Sequence, residues 1–324
     1  MSHNLARGLG IALALSATVG ASTVCAQAWP TKTVRIVVPF SPGGGTDIQG
    51  RLLAKKFTES MGQTFVVDNR SGAAGLIGAE IVAKSAPDSA NVLFTTASLA
   101  VNVSLYKNSA MDPLRDLTPV SWVSSVPLVL VVHPSVPVKN VRELVALAKK
   151  RAGKMNVASN GSGTTSHLSI EMLKQMVGVD AVHVPYKGGG PAITAMLTGE
   201  VDFAFGVALA VQPHIKGGRL RALAVTTAKR SSTFPELPTM SSMYPGFESD
   251  NWYAMFLPAR TSKETVFKLN AEILKALKAA DVRDFIIKEG GDPVGSSPED
   301  LSKYFRREVD KYAKVIKLGN VTAE

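Results

Sequence analysis

Residues 34–47 read VRIVVPFSPGGGTD, and the order of elements that this stretch predicts recurs later in the chain. Its first five residues form a β-branched run that stops at Pro39, which predicts a short buried strand. Three glycines follow at 43–45, and apolar residues then recur at helical spacing over 48–57. Glycine lets a ligand approach the backbone closely, and Thr46 is a favoured N-cap residue. The stretch therefore predicts either an anion-binding helix N-terminus or an ordinary strand–helix turn.

The same order recurs in the second half of the chain. A short strand is predicted over 155–158, a polar glycine-rich loop (NGSGTTSH) over 160–167 and an amphipathic helix over 168–177. Alternating strands and helices predict parallel sheets covered by helices on both faces, and two copies predict two similar α/β lobes. Ligands of such sheets bind beyond the carboxyl ends of the strands, so both loops are expected to face one cleft.

The second loop carries more hydroxyl groups than the first. Ser162, Thr164 and Thr165 can donate hydrogen bonds to a carboxylate, and His167 stands at the start of the helix. A lone histidine in such a place has either a structural or a functional role. Two facing loops of this kind suit a ligand with a carboxylate at one or both ends.

Composition narrows the class of protein. The chain has 324 residues, enough for two domains at roughly 150 residues each, and 45% of them are hydrophobic. Its single cysteine excludes a disulfide framework and a cysteine-based metal cluster. The formal charge of +10 comes from basic residues spread along helical faces, which favours a solvated surface over a nucleic-acid site. Such a field still attracts small anions.

Residues 1–28 have the pattern of a secretory signal peptide. Arg7 supplies the positive region, residues 9–19 are apolar, and Ala-Gln-Ala at 26–28 forms a cleavage signal. The alternatives are a buried N-terminal helix and a lipoprotein anchor at Cys25, and the anchor is disfavoured because the preceding residue is not small. The pattern therefore predicts an exported, periplasmic protein.

Motifs for catalysis, metal binding or cofactor binding are missing from the sequence. It contains no G-x-S-x-G nucleophile elbow, and its five histidines form no H-E-x-x-H pair. His167 with Asp202 or Asp47 is the remaining acid/base combination, which leaves an exported hydrolase or isomerase as an alternative. The prediction is a binding protein without a cofactor.

Six stretches together resemble one known family, the Bug (TctC-type) periplasmic solute-binding proteins of tripartite tricarboxylate transporters. The resemblance covers essentially the whole chain after the signal peptide. It is carried by residues 29–47, 67–75, 161–168, 184–191, 220–226 and 252–253.

This resemblance implies a two-lobe type II periplasmic binding fold, a Venus flytrap with two crossover strands. The first lobe is expected over 29–125, the second over 126–229, and residues 230–324 are expected to return to the first lobe with the C-terminal helices. The implied partners are a small carboxylate and the membrane subunits of the transporter, with the binding protein itself a monomer. A signalling role, in which a sensor replaces the transporter, stays open.

The resemblance also implies a set of ligand-binding positions. Asp47 is not an obvious partner for a carboxylate, and it is expected to cap its own helix or to hold the loop in shape through a water. The implied positions are Phe40, Gly44, Thr46, Asp47, Ser98, Ser162, Thr164, Thr165, His167, Tyr186, Asp202, Val207 and Asn251.

One departure from the family pattern bears on the ligand. Many members carry an acidic or amide residue after the strand predicted at 201–205, whereas this chain has Gly-Val-Ala-Leu at 206–209. This change predicts a more apolar wall with more room. An aromatic carboxylate or dicarboxylate, such as a phthalate isomer, is therefore the expected ligand, and an aliphatic di- or tricarboxylate is the alternative.

Overall fold

A computed structural model describes residues 29–87, 90–107, 109–186 and 188–322. The signal peptide predicted over 1–28 lies outside these described residues. Within them, eleven strands form two separate sheets. None of the described helices is long and apolar enough to cross a membrane.

The first sheet has the strand order β11-β4-β10-β3-β1-β2. β1 runs parallel to β2 and β3, whereas β10 runs antiparallel to β3 and β4. Its strands are β1 (Val34–Val38), β2 (Phe65–Asn69), β3 (Asn91–Thr96), β4 (Leu117–Val126), β10 (Asn251–Pro258) and β11 (Asp292–Pro293).

The second sheet has the order β7-β6-β8-β5-β9. β6 runs parallel to β7 and β8, whereas β5 runs antiparallel to β8 and β9. Its strands are β5 (Leu128–Val132), β6 (Asn156–Ser159), β7 (Val182–Pro185), β8 (Phe203–Val207) and β9 (Arg221–Val225).

Helices follow most of the strands. Their bounds are α1 (Gly45–Met61), α2 (Leu76–Ala83), α3 (Ser98–Leu105), α4 (Pro113–Asp116), α5 (Val141–Lys150), α6 (Thr165–Val177), α7 (Gly189–Thr198), α8 (Ala208–Lys216), α9 (Met240–Met243), α10 (Lys263–Lys278), α11 (Ala280–Lys288) and α12 (Pro298–Gly319). A short 3-10 turn, Ala73–Gly75, precedes α2.

The two sheets repeat one arrangement. Without β11, the first reads β2-β1-β3-β10-β4 and the second β7-β6-β8-β5-β9. The prediction of parallel sheets is wrong, because β10 and the short β11 in the first sheet, and β5 in the second, run against the other strands. The chain enters β10 and β5 from the other lobe, so each of them starts at the edge where the parallel strands end.

Two chain crossings connect the lobes side by side. The first passes from β4 to β5 at Pro127, and the second runs from β9 to β10 through 226–250. Hydrogen bonds join Leu128 to Thr226: the backbone N–H of Thr226 donates to Leu128 O, and the Thr226 side-chain hydroxyl accepts from Leu128 N. These paired crossings are the chain connections between the lobes. The exact lobe boundaries at 125/126 and 229/230 stay predictions.

Burial explains why residues 34–38 form a central strand. Ile36 and Val38 lie in the core that includes Phe57 of α1, while Val37 lies in the core that includes Ala79 of α2. All of these side chains are fully buried. A parallel strand covered on both faces needs a continuous apolar run rather than alternation, which is the pattern that the sequence shows.

The C-terminal helices return to the first sheet. α10 and α11 contact α1, and α12 packs on α3 and β4. Within α12, Phe305 packs edge-on against Trp252 and Phe256 of β10. α12 also contacts α6 of the second lobe. It therefore belongs to the core of the first lobe while touching the second.

Candidate functional site

A cavity of about 200 Å³ lies between the two lobes. Residues of the first lobe and of the crossing strands line it together with residues of the second lobe. The first lobe supplies Phe40, Thr46, Ala74, Thr96, Ser98 and Asn251, and the second supplies Leu128, Asn160, Thr164, Thr165, Ser166 and Val207.

Helix N-termini from both lobes open onto this cavity. Thr46 lies in the first turn of α1, Ser98 begins α3, Thr165 begins α6, and Val207 is the N-cap of α8. The N–H groups of a first turn have no acceptor within their helix, and the helix dipole places positive potential there. Among the described residues that line the cavity, no side chain is ionisable. The arrangement can therefore hold an anion by backbone N–H and hydroxyl donors.

The loop of the first lobe differs from its predicted capping. Gly44, in an extended conformation, is the N-cap of α1, so the prediction that Thr46 fills this position is wrong. Thr46 lies two residues further on and hydrogen-bonds through its side chain to Tyr253. A glycine cap offers no side-chain acceptor, so this loop needs other support.

Asp47 supplies that support. Its carboxylate accepts hydrogen bonds from Gly43 N (2.9 Å), Asn69 Nδ2 (3.0 Å) and Arg51 Nε (3.1 Å). Burial raises the pKa of Asp47, but the bonds from Arg51, Gly43 and Asn69 outweigh it and hold the pKa below its ordinary value. Asp47 does not line the cavity. It holds the loop in shape through direct hydrogen bonds, and a contact of Asp47 with a ligand stays a prediction.

Tyr253 positions two cavity residues and was missed by the sequence reasoning as a site residue. Its hydroxyl accepts from Asn251 Nδ2 (3.2 Å) and bonds to the Thr46 side chain. The ring is buried and stacks on Phe94 at a centroid distance of 6.0 Å. Burial raises the pKa of the Tyr253 phenol far above its ordinary value, so the hydroxyl stays protonated.

In the second lobe, hydroxyl groups hold the loop. Thr164 is the N-cap of α6 and accepts from His167 N, while its own hydroxyl donates to Gly161 O at 2.7 Å. The Ser166 hydroxyl accepts from Asn160 N at 2.9 Å. These bonds are neutral, and they place the first turn of α6 at the cavity.

Comparison with known proteins decides which family has this site. The family model described as "Tripartite tricarboxylate transporter family receptor", TctC, matches residues 50–321. The chain belongs to the TctC family. It is a periplasmic solute-binding protein of the TctC/Bug type.

Individual TctC relatives extend over nearly the whole chain. Protein BugT of Bordetella pertussis is 37% identical over 318 residues, which cover 97% of this chain and 98% of BugT. The structure of R. palustris Rpa4515 with adipate has a TM-score of 0.81 and 36% identity, covering 91% of this chain and 99% of that one. MatC from Rhodopseudomonas palustris with bound malate has a TM-score of 0.77 and 30% identity, and the match covers 89% of this chain and 99% of MatC.

Membership in the TctC family also settles the question of catalysis, because the family consists of substrate-binding proteins rather than enzymes. The geometry agrees with this. His167 is buried, its Nδ1 accepts from Gly163 N at 3.1 Å, and its ring stacks on His183 at 3.9 Å. Burial, with His183 and Lys174 nearby, lowers the pKa of His167 to about 3. The ring is neutral near pH 7, so its 4.0 Å approach to Glu171 is no ion pair.

Asp202 lies at the wrong end of its strand for the predicted site. It precedes β8, and its carboxylate accepts from Asn156 N at 2.7 Å, at the start of β6. Val207, at the other end of β8, is the residue that lines the cavity. Asp202 therefore does not line the cavity, and its carboxylate is engaged at the start of β6.

Three further predicted residues lie outside the cavity lining. Gly44 precedes the first turn of α1, and Ser162 lies two residues before the N-cap of α6. Tyr186 turns to the protein surface, where its hydroxyl donates to Glu200 Oε1 at 2.9 Å. The structure brings together Phe40, Thr46, Ser98, Thr164, Thr165, Val207 and Asn251 from the predicted set.

The wall after β8 carries the apolar side chain of Val207. A Cβ atom built on Gly206 would overlap Val211 Cγ1 of α8. The small residue is therefore needed for α8 to pack on its own strand, and the greater room at this wall stays a prediction. Val207 is the residue that makes the wall apolar.

Several lining residues were missed by the sequence reasoning. Asn160 and Ser166 stand inside the predicted second loop, beside residues that were selected, so their position was available from the sequence. Leu128 starts β5 at the cleft, which follows only from the reversed direction of that strand. The missed residues are Ala74, Thr96, Leu128, Asn160 and Ser166.

Proposed function

We propose that this protein captures a small carboxylate between its lobes and delivers it to a tripartite tricarboxylate-type membrane transporter. The observation that supports this proposal is the convergence of helix N-termini from both lobes on one uncharged cavity. A carboxylate that bridges α1 and α6 gains donors from each only when the lobes are together. The ligand shifts the lobes toward closure by its differential affinity for that state.

The ligand in this proposal is an aromatic carboxylate or dicarboxylate, such as a phthalate isomer. Phe40, Leu128 and Val207 supply apolar surface between the donor-bearing helix ends. An apolar cavity of about 150 Å³ is enough to hold benzene, and this cavity measures about 200 Å³. The volume therefore fits one ring with a small number of polar substituents.

An aliphatic dicarboxylate is the second candidate. The relatives whose structures contain adipate and malate favour it, because both ligands are aliphatic dicarboxylates. Neither candidate requires a cofactor or metal. The proposal also includes export by the N-terminal segment, a monomeric state and no nucleic-acid partner, and a ligand sensor for a signalling partner is the alternative to transport.

A binding assay separates the two ligand classes. Purified protein from residue 29 onward is titrated calorimetrically with benzoate, the phthalate isomers, adipate, malate and citrate. We expect the tightest binding for a phthalate isomer. Binding of adipate, malate or citrate without binding of any aromatic acid would contradict the aromatic proposal and support the aliphatic one.

A matched pair of variants tests the wall residue. Val207→Thr keeps the shape of the side chain and replaces a methyl group by a hydroxyl. It is expected to weaken binding of an aromatic ligand by about fourfold, because one buried methylene-sized group contributes about 0.8 kcal/mol and a tenfold change corresponds to about 1.4 kcal/mol. Val211→Thr, on α8 but outside the cavity lining, controls for stability, and equal loss of affinity in both variants contradicts a role for Val207 in binding.

Small-angle scattering tests the closure step. We expect the radius of gyration to fall when the ligand identified above is added at saturation. An unchanged radius of gyration would count against capture by closure, although the binding data would stand.

A further inference from the structure

A second concave surface lies between α6 of the second lobe and α12 of the first. This α6–α12 groove has a volume of about 820 Å³ and shares no residue with the ligand cavity. One wall is formed by Met172, Gln175 and Met176 of α6. The other wall is the face of α12 from Lys303 to Val315.

α6 links this groove mechanically to the ligand cavity. Its first turn, with Thr165 and Ser166, lines the cavity, and residues 172–176 of the same helix form the groove wall. A helix rises about 1.5 Å per residue, so Thr165 and Met176 lie about 16 Å apart on one rigid rod. Any shift of α6 that accompanies ligand binding therefore moves the groove wall as well.

α12 supplies the fixed wall. Phe305 packs against Trp252 and Phe256 of β10, which anchors α12 in the core of the first lobe. Gln175 Nε2 donates to Val315 O at 3.0 Å across the groove. Because its walls belong to different lobes, the width of the groove follows the angle between the lobes.

The open face of the groove is basic. Lys303, Arg306, Arg307 and Lys314 are exposed along α12. Glu308 is fully buried and is used internally, because it accepts from Trp252 Nε1 (3.1 Å) and Lys311 Nζ (2.7 Å). Three acidic residues lie at the surface beside these charges: Asp310 is exposed, Glu248 lies 3.8 Å from Arg307, and Glu299 lies 2.8 Å from Lys303. Arg306 and Lys314 add two further basic groups to the same face.

Apolar surface accompanies these charges. Met176 is 42% exposed and lies on the α6 wall. Methionine side chains adapt their shape to a bound segment, and they are used on surfaces that bind other proteins. A concave surface with a methionine on one wall and guanidinium and ammonium groups on the other fits an acidic, amphipathic protein segment better than a flat lipid surface.

We propose that the α6–α12 groove docks an acidic segment of the transporter's membrane subunits and thereby distinguishes the closed, ligand-loaded protein from the open one. This inference rests on the proposed transport function. Electrostatic attraction accelerates encounter, and the groove width then selects the closed form. The partner would distinguish ligand-bound from ligand-free protein by the width of the groove, without contacting the ligand.

Charge reversal of the groove tests the inference. The triple variant Arg306→Glu, Arg307→Glu, Lys314→Glu is compared with a matched variant on α10, Lys263→Glu, Lys275→Glu, Lys278→Glu, which makes the same change in net charge on another face. Proteoliposomes that contain the membrane subunits are supplied with each binding protein and the labelled ligand. Ligand affinity is measured separately by calorimetry, and folding is checked by the melting temperature.

We expect the groove variant to lower the initial uptake rate about tenfold at low concentrations of binding protein, because charges at the edge of an interface act mainly on the association rate. Its ligand affinity should stay within twofold of the unmodified protein. The α10 variant should support normal uptake. Added salt should reduce uptake by the unmodified protein toward the rate of the groove variant.

Three outcomes would overturn the inference. Normal uptake with the groove variant would remove the docking role while leaving the transport function intact. Equal losses in the groove and α10 variants would show a general effect of net charge. Binding of the unmodified protein, but not of the groove variant, to phosphatidylglycerol vesicles without transporter subunits would assign the surface to lipid. Failure of the unmodified protein to support any uptake, with ligand binding preserved, would instead contradict the transport function itself.

Discussion

Two strand–loop–helix units face the same cavity, and they are held in shape by different chemistry. In the first lobe, the N-cap Gly44 has no side chain, and the carboxylate of Asp47 ties the loop to Arg51 and Asn69. In the second lobe, the Thr164 hydroxyl caps the helix, and Ser166 joins Thr164 in neutral hydrogen bonds. The first loop is held in shape by the charged carboxylate of Asp47, and the second by the uncharged hydroxyl groups of Thr164 and Ser166.

This difference shows that one backbone arrangement can be stabilised in two ways. Both units bring a helix N-terminus to the cavity, because a short strand followed by a glycine-rich loop leaves the first N–H groups of the helix open. The side chains that hold the loop are not the ones that face the ligand. The two units should therefore respond differently to mutation and to pH.

Removal of the Asp47 carboxylate is expected to have the largest effect. Asp47→Ala removes the acceptor for Gly43 N, Asn69 and Arg51 and should destabilise the protein by about 2–3 kcal/mol, since hydrogen bonds to a charged group are worth more than neutral ones. Urea unfolding measures this change. The control is Asp284→Ala, which removes an exposed carboxylate 3.6 Å from Arg283 and should cost less than about 1 kcal/mol. Equal effects of the two substitutions would contradict the role given to Asp47.

A second comparison uses the glycine before each N-cap. Gly43 and Gly163 both have positive φ, +82° and +72°, so alanine strains the backbone at either position. A Cβ on Gly43 meets nothing within 4 Å, whereas one on Gly163 would overlap Leu105 Cδ2 of the first lobe. Gly163→Ala should therefore weaken ligand binding about fivefold more than Gly43→Ala, which is somewhat less than the roughly 1.4 kcal/mol of a tenfold change. The reason is that the Leu105 side chain must change its conformation before the lobes can come together.

The double variant Gly163→Ala, Leu105→Ala checks this explanation. Removal of the Leu105 side chain should recover most of the additional loss in affinity, since the strain at residue 163 is common to both glycine variants. No recovery would show that the loss arises in the loop itself and not between the lobes. Calorimetric titration with the bound carboxylate provides the measurement.

Loss of the Thr164 cap is expected to have a smaller effect. Thr164→Ala leaves His167 N without its side-chain acceptor and should cost about 1 kcal/mol of unfolding free energy. Thr164→Ser keeps the hydroxyl and should stay close to the unmodified protein. If alanine and serine are equally destabilising, the loss belongs to the methyl group and not to the cap.

The smallest expected effect concerns pH: the contributions of the two strand–loop–helix units to stability should be lost over different pH ranges. The pKa of His167 is lowered from 6.5 to about 3 by burial and by His183 and Lys174, so only the unfolded chain binds the proton as the pH falls below 6.5. Stability is then lost with falling pH, by about 0.7 kcal/mol between pH 7 and pH 6 for one such group. Asp47 has a lowered pKa as well, and its contribution is present above pH 3.8 and lost as the pH falls below that value.

His167→Asn tests this assignment, because the amide oxygen can accept from Gly163 N but does not titrate near pH 6. The variant should show a flatter dependence of unfolding free energy on pH between 7 and 5 and the same steep loss below pH 4. Thermal unfolding at a series of pH values measures both. An unchanged slope between pH 7 and 5 would assign the effect to other groups.

Much of the fold could be predicted from local patterns. The β-branched run at 34–38 forms a strand with those bounds, since a continuous apolar run suits burial on both faces. The helix over Lys263–Lys278 and the helix that starts at Pro298 also follow their apolar spacing. Strand direction could not be predicted in this way. The directions of β5 and β10 depend on where the chain crosses between lobes.

The site was predicted in part for the same reason. Thr164 and Thr165 line the cavity, and their positions follow from the loop and the helix start. Asp202 lies away from the cavity lining because it precedes its strand, and Tyr253 was missed because its role depends on contacts with Thr46 and Asn251. Contacts between residues far apart in the sequence leave no local pattern.

The sequence alone determined the order of strands, glycine-rich loops and helices, and with it two helix N-termini that follow glycine-rich loops. These features depend on short-range properties, namely apolar periodicity, glycine conformations and the unpaired N–H groups at a helix start. Only the tertiary structure decided that Asp47 supports the loop, that Leu128 and Asn251 enter the cavity wall, and that α6 joins the cavity to the α6–α12 groove. These outcomes depend on which surfaces meet when the two sheets pack around paired crossings, and that packing is a property of the whole chain.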